Sequence, residues 1–415
     1  MELKTMSAVG LIVEYNPLHN GHVHHYTRAK EVTGAEHAVA VLSGPFLQRG
    51  EPGLVSKYAR AEMALAMGAD LVIELPAAYA VQPAEWFAYG AVALLNATGV
   101  VDSVCFGTES GTLEVLQPLA RMLAHESEEL QGHIGHYLGQ GMSYPSAYAA
   151  AAEALAGSGG WKEDILQLLH KPNHTLGLHY LIALERLGSR MRPYTIPRIH
   201  AGYHDEVPGH TNIASATAVR RMLLGPAPDE AAPYVPATTL AILKREFAAG
   251  RGPITWESFR QPLLHLLLTT PPEQLAALHE VTEGLEHRLG KLLPALTGAD
   301  VAGLLAALKT KRYTHTKLQR MLVHILLRHS KEQLAPARLA EGPGYLRILG
   351  FNKTGQALLK QMKKTASLPV VMKPSAFSHD QLDLDLRAAA AYANAYDAPS
   401  PDDWYRDYRQ PPVMI

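Results

Sequence analysis

Two histidines flank a short turn near the start of the chain, in the order His19-Asn20-Gly21-His22. An imidazole can donate hydrogen bonds at neutral pH, and two of them three residues apart can point into one space when a helix begins between them. Gly21 lets a ligand approach the backbone, and the first N–H groups of a helix favour an anion. The combination suits the phosphates of a nucleotide, with His19 and His22 as catalytic donors to oxygens on which charge grows in the transition state. Taken singly, each histidine could be an ordinary surface residue in a turn; the spacing, the glycine and the context favour the phosphate reading. Zinc is the other possibility that His19, His22, His24 and His25 raise. It is disfavoured, because no carboxylate or cysteine with ligand spacing accompanies them and consecutive helical residues point in different directions.

Such a pair needs a strand, a turn and a helix to position it. Ala8 to Tyr15, His37 to Leu42, Asp70 to Leu75 and Asp102 to Phe106 read as strands. Gly21 to Thr33, Ser56 to Met67, Pro83 to Ala97 and Thr112 to Glu129 read as the helices that follow them. This β-α-β-α order predicts an α/β fold with a Rossmann-like parallel sheet and right-handed crossovers. Near-continuous apolar runs such as VGLIV and AVAVL fit strands covered on both faces. A loop is expected over Gly157-Ser158-Gly159-Gly160, then a helix over Asn173 to Leu187, an extended stretch over Tyr194 to Ile199, and a helix entered at Ser215 as N-cap.

Pro226, Pro228, Pro233 and Pro236 mark 226–236 as a linker between a domain over 1–225 and another over 237–415. Beyond the linker the periodicity is helical: Leu240 to Ala249, Pro272 to Leu293, and Val301 to His329 with a break around Arg312 to Thr316. No strand alternation persists, so a mainly helical domain is predicted, ending in a loosely packed tail from Pro399 to Ile415.

Across 415 residues, 38 Lys plus Arg balance 39 Asp plus Glu, which excludes a globally basic protein that coats nucleic acid through net charge. The single cysteine, Cys105, excludes an intramolecular disulfide framework, reads as a buried strand residue, and fits a reducing cytoplasm. The apolar stretch Ala8 to Val13 ends at Glu14 and reads as a strand, not a signal peptide, and no run reaches the roughly 18 apolar residues of a membrane span.

The His-Asn-Gly-His run after a first strand resembles the HxGH signature of the nucleotidyltransferase superfamily. EYNPLHNGH, SGPFLQRGEPGLVSKYARAEMAL, KPNHTLGLHY, SATAVR, KTKRYTHTKLQR and RILGFNKTG, in that order from about residue 8 to 356, resemble the tRNA(Met) cytidine acetate ligase family. That resemblance implies an ATP-dependent ligase. It would activate acetate as acetyl-adenylate and pass the acetyl group to the wobble cytidine of elongator tRNA(Met), forming N(4)-acetylcytidine. ATP is then a substrate, expected as its Mg2+ complex, although no dedicated carboxylate cage is evident. No protein partner is implied.

The resemblance places ATP contacts on Ile12-Val13-Glu14-Tyr15-Asn16-Pro17-Leu18-His19-Asn20-Gly21-His22-Val23-His24-His25, and separately on Gly107, Asn173 and Arg198. Each of the last three has a plainer alternative: a turn glycine, a helix N-cap and a surface arginine. Ser215, Thr217 and Arg220 resemble the superfamily's second signature, in which hydroxyls and amides hold the triphosphate and the arginine neutralises the leaving pyrophosphate. The loop Ser43 to Ser56, with Gln48, Arg49, Gly50 and Glu51, is long enough for a flap. Lys57 and Arg60 after it either reach phosphate or tRNA, or lie on a solvated helical face.

For tRNA the best basic cluster is Lys309, Lys311, Arg312, Lys317 and Arg320, interleaved with Tyr313 and His315. Such a cluster can neutralise backbone phosphates while an aromatic ring stacks on an unpaired base. Lys353, Lys360, Lys363 and Lys364 form a weaker patch. Two other functions use the same residues: an adenylyltransferase for a small phosphorylated metabolite, and a non-catalytic RNA-binding protein on a nucleotide fold.

Overall fold

The computed structural model describes residues 7–108, 113–114, 116–124, 127–142, 144–158, 172–198 and 212–415. Met1 to Met6, Thr112, Gly159, Gly160 and Ile199 lie outside the described residues. Eight strands form one sheet: β1 (Ala8–Val13), β2 (His37–Ser43), β3 (Leu71–Leu75), β4 (Ser103–Thr108), β5 (Arg192–Pro197), β6 (Leu346–Phe351), β7 (Val370–Val371) and β8 (Val413–Met414). Their order is β5-β4-β1-β2-β3-β6-β7, with β8 also pairing β6. The first five are mutually parallel, with Ala8 opposite His37 and Ser103 opposite Val9.

Alternate residues of the central strands serve opposite faces, which is why these strands are apolar throughout. Val39 and Val41 of β2 join one core with Ile73 and Leu95, whereas Ala38, Ala40 and Leu42 join the other with Leu11, Met63 and Val72. Helices α1 (Asn20–Thr33) and α2 (Lys57–Met67) follow β1 and β2. Ser56 caps α2 by accepting from Ala59 N, and α1 ends at Gly34 in the left-handed region, φ 67°. Cys105 is buried in β4, as its strand setting predicts. Ser215 caps the helix Ala216–Leu223.

A third core belongs to the later helices, with Phe259, Leu263, Leu289, Leu304, Leu318 and Leu322, and it takes in Phe46 and Val81 from the first half. Four expectations need correction. The region after 237 is not helical alone: β6 lies antiparallel beside β3, with Leu71 opposite Phe351. Its six residues, LRILGF, form a run too short for periodicity to separate strand from buried helix.

The segment 399–415 is not loosely packed, because Asp407 is buried and β8 pairs β6. Pro272 to Leu293 is not one helix but Pro272–Ala276 and Leu285–Leu292, with a loop between. The stretch read as a helix from Thr112 to Glu129 is Leu116–Ala124 followed by a separate helix, Glu128–Gly139.

The same closure explains Lys57, which faces neither solvent nor ligand. Its Nζ donates to Glu74 at 2.7 and 2.9 Å and to Asp407 Oδ2 at 2.6 Å, and Arg347 Nη1 donates to Asp407 at 3.1 Å. Two cations and two carboxylates thus leave water together, each compensating the others. Arg60 is also fully buried, donating from Nη1 to the carbonyls of Glu14 and Ser43 at 2.9 and 3.0 Å. It ties the loop after β2 to the end of β1. No helix among the described residues is long and apolar enough to cross a membrane.

Candidate nucleotide and nucleic-acid site

The strand order reverses between β1 and β4, and ligands of open α/β sheets bind outside the carboxyl ends of strands at such a point. There a cavity of about 1460 Å³ opens, lined from the sheet side by Glu14, His19, His22, Gly107 and Arg198. His19 is the N-cap of α1, and its Nδ1 accepts from Gly21 N at 3.0 Å. Reciprocally, Nδ1 of His22 accepts from His19 N at 3.2 Å. Both rings, 3.8 Å apart between centroids, therefore carry their proton on Nε2.

Charge follows from burial. The His19 pKa is lowered to about 4 by burial and by Arg198 and Arg220, and that of His22 is driven well below the usual value by burial, then by His19 and His25. Both are neutral donors at neutral pH, so the positive charge in this part of the cavity comes from Arg198 and Arg220. Gly21 is required by space: a Cβ there would sit 2.8 Å from Cε1 of His19. His25 donates from Nε2 to the carbonyl of Cys105 at 3.2 Å, tying α1 to β4.

Of the stretch Ile12 to His25, the residues Ile12, Val13, Glu14, His19, Gly21, His22, His24 and His25 line the cavity. Tyr15 and Leu18 instead enter the core under α1, and Asn16 Oδ1 accepts from Leu54 N at 2.7 Å. Asn20 donates to the carbonyls of Asn212 and Pro233, both at 2.9 Å. Pro17 and Val23 are not among the lining residues. Burial raises the Glu14 pKa, although its carboxylate accepts from Gln48 N at 2.7 Å.

Gly107 and Arg198 line the cavity, and a Cβ at Gly107 would stand 3.1 Å from the Arg198 side chain. Asn173 falls in the first turn of the helix Pro172–Arg186, and its side chain lies outside the described residues. Ser215, Thr217 and Arg220 line the cavity too. Arg220 donates to the Asn16 carbonyl at 2.8 Å and to Glu51 at 3.0 Å.

The loop Ser43 to Ser56 spans the two halves. Glu51 holds Arg220, and Gly50, φ 78°, packs so closely on the helix His315–Leu327 that a Cβ would lie 2.3 Å from Arg320 N.

The later helices line the cavity as well. Arg312, Lys317 and Arg320 line the cavity, whereas Lys309 and Lys311 do not. The basic cluster is thus divided: three of its five cations face the nucleotide side. These three are paired, Arg312 with Glu283 at 2.7 Å, Arg320 with Glu280 at 2.7 Å, and Lys317 with Thr282 Oγ1 at 3.0 Å. Sequence reading missed Glu280 and Glu283, since the loop that carries them was absorbed into a long helix; the short polar run Thr282-Glu283-Gly284 between leucine-rich segments was the available signal.

A family model described as HIGH Nucleotidyl Transferase matches residues 6–405. The tRNA(Met) cytidine acetate ligase of Anoxybacillus flavithermus is 40% identical over 411 residues, covering 98% of this chain and 100% of that one. The chain belongs to the tRNA(Met) cytidine acetate ligase family of HIGH nucleotidyl transferases. The family member of Bacillus subtilis is 41% identical over 399 residues, 95% of this chain and 94% of its own. The crystal structure of Thermotoga maritima TmcAL bound with alpha-thio ATP superposes with a TM-score of 0.91 at 35% identity, covering 99% of this chain and 100% of that one.

Proposed function

We propose that this protein activates acetate with ATP and transfers the acetyl group to the wobble cytidine of elongator tRNA(Met), giving N(4)-acetylcytidine. One observation carries the reading: the histidine signature and three cations of the basic cluster line a single cavity. The names of the relatives supply the substrate, and the α-thio ATP of the Thermotoga structure supports ATP in this chain.

In the first step an acetate oxygen forms a bond to the α-phosphorus while the bond to pyrophosphate breaks, leaving acetyl-adenylate. Nε2–H of His19 and His22 would donate to the phosphate oxygens, and Arg220 would take charge on the departing pyrophosphate. ATP enters as its Mg2+ complex, the metal being held by triphosphate oxygens and water. Among the described residues no three metal-binding side chains come together.

In the second step the exocyclic amine of cytosine attacks the acetyl carbon, AMP leaves with the bonding pair, and the amine loses a proton. Positioning suffices, and no covalent enzyme nucleophile is needed. Cys105, the one cysteine, is buried in the sheet and its thiol is pushed up to about 12 by burial. The setting is cytoplasmic, where tRNA is.

Mass spectrometry of nucleosides from tRNA incubated with the protein, ATP and isotopically labelled acetate tests the proposal. Labelled acetylcytidine is expected; unlabelled tRNA with intact ATP defeats it.

A further inference from the structure

Glu280 carries an unsatisfied oxygen. Its Oε1 accepts from Arg320 Nε at 2.7 Å, whereas Oε2 is buried with no hydrogen-bond partner among the described residues. The carboxylate side chain is only 10% exposed and lines the shared cavity. A buried charged acceptor left unpaired is costly, so Oε2 is open to a donor that the described residues do not supply.

The local backbone is fixed to present this group. Glu280 and Glu283 both adopt φ 59°, a region that side-chain-bearing residues seldom occupy and that clusters at ligand-binding sites. The loop is pinned at its base by His279 N donating to the His329 carbonyl at 2.9 Å and at its tip by Tyr313 OH donating to the Glu283 carbonyl at 2.7 Å. Arg320 is anchored in turn, because its backbone abuts Gly50. Its Nη groups have no hydrogen-bond partner among the described residues, and the residue lines the same cavity.

We infer that Glu280 and Arg320 together read the target cytosine, with Glu280 Oε2 accepting from the exocyclic amine and Arg320 donating to N3 or O2. This rests on the function proposed above. Cytosine's pairing edge runs donor, acceptor, acceptor, and the ion pair offers the complementary acceptor and donors, much as guanine does; carboxylate acceptance from the cytosine amine is an established pairing. Uracil would set its O4 against the carboxylate and, where the guanidinium meets position 3, its N3–H against a donor; O2 alone is common to the two bases, so the carboxylate carries the discrimination. The adenine of ATP has a similar edge, but Glu280 and Arg320 come with Arg312 and Lys317 from the later helices and their loop, and not from the strand, turn and helix that carry the histidines. The pair thus serves the second substrate.

The test is equilibrium binding of the full chain to tRNA(Met) transcripts that differ only at the wobble base, with acetylation followed in the same samples. Wild-type protein is expected to bind the cytidine transcript about 5- to 150-fold more tightly than the uridine one, the range of one good base pairing. In Glu280→Gln that ratio should fall towards one. A transcript whose cytidine amine carries two methyl groups should bind wild-type protein as weakly as uridine, which needs no variant to fold. Equal wild-type binding of all three transcripts overturns the inference, as does an unchanged ratio in Glu280→Gln or an effect confined to the KM for ATP. Acetylation of the cytidine transcript alongside equal binding defeats this inference alone; absence of acetylation defeats the function it rests on.

Discussion

The backbone N–H of His19 donates to Nδ1 of His22 at 3.2 Å, so the second histidine of the signature is oriented by the peptide of the first. Replacing His22 removes one arm of the helix cap and, in the proposed mechanism, a phosphate donor. His22→Ala should lower kcat for acetyl-adenylate formation by about 100- to 1000-fold, as loss of a transition-state donor does. Stability should fall by about 1 kcal/mol from the lost cap. ATP–pyrophosphate exchange and thermal unfolding measure the two separately.

Gly21→Ala should reproduce much of the kinetic loss without touching either imidazole, because the new Cβ would lie 2.8 Å from the His19 ring. Exchange activity near that of wild type would show that the ring has room to shift.

Stability should fall on acidification. Burial lowers the pKa of His19, His25 and His179 to about 4 and that of His329 to about 3. Between pH 6.5 and about 4 the unfolded chain therefore binds more protons than the native one, and stability is lost as pH falls through that window. Asp385 and Glu14, both raised by burial, work in the opposite direction, two groups against several. A tenfold difference in proton affinity between the folded and unfolded chain corresponds to about 1.4 kcal/mol, so the urea midpoint should drop steeply from pH 7 to about pH 4.5. A flat midpoint over that range would contradict the assignment of neutral buried histidines.

Asp407→Asn should destabilise the protein by about 3–5 kcal/mol, since it leaves Lys57 and Arg347 sharing Glu74 alone. Burial opposes the Asp407 charge, but Lys57 and Arg347 outweigh it and hold its pKa below the ordinary value. Replacing Lys57 by Met in the same background should restore part of the loss, because one uncompensated cation goes. Denaturant titration of the two variants checks both statements.

Arg220→Lys should behave more like Arg220→Ala than like wild type in exchange assays. A single ammonium cannot replace the fork that joins the Asn16 carbonyl to Glu51 at 2.8 and 3.0 Å.

What could be read from the sequence was local. The run from Val13 to His22 announces strand, turn and helix within ten positions, and the cap geometry that fixes both rings is built from neighbours. The near-continuous apolar run of β2 likewise needs only its own residues. The rest depends on partners far along the chain. Lys57 and Asp407 are 350 positions apart, so nothing near Lys57 distinguishes a buried cation from a solvated one. Glu280 reads as one more helical glutamate until its φ of 59° is known, and its importance comes from Arg320, which sequence reading had assigned to phosphate.

Insertion of β6 beside β3, with Asp407 sealing Lys57, also bears on when the protein can work. During synthesis the parallel strands emerge first, yet the edge of β3 stays open until β6 has emerged, and the Lys57–Glu74 pair lacks Asp407 until residues beyond 400 have left the ribosome. A nascent chain therefore holds its histidine signature on an unfinished sheet. Synthesis order thus delays completion of the sheet beside the signature until residues beyond 400 have emerged.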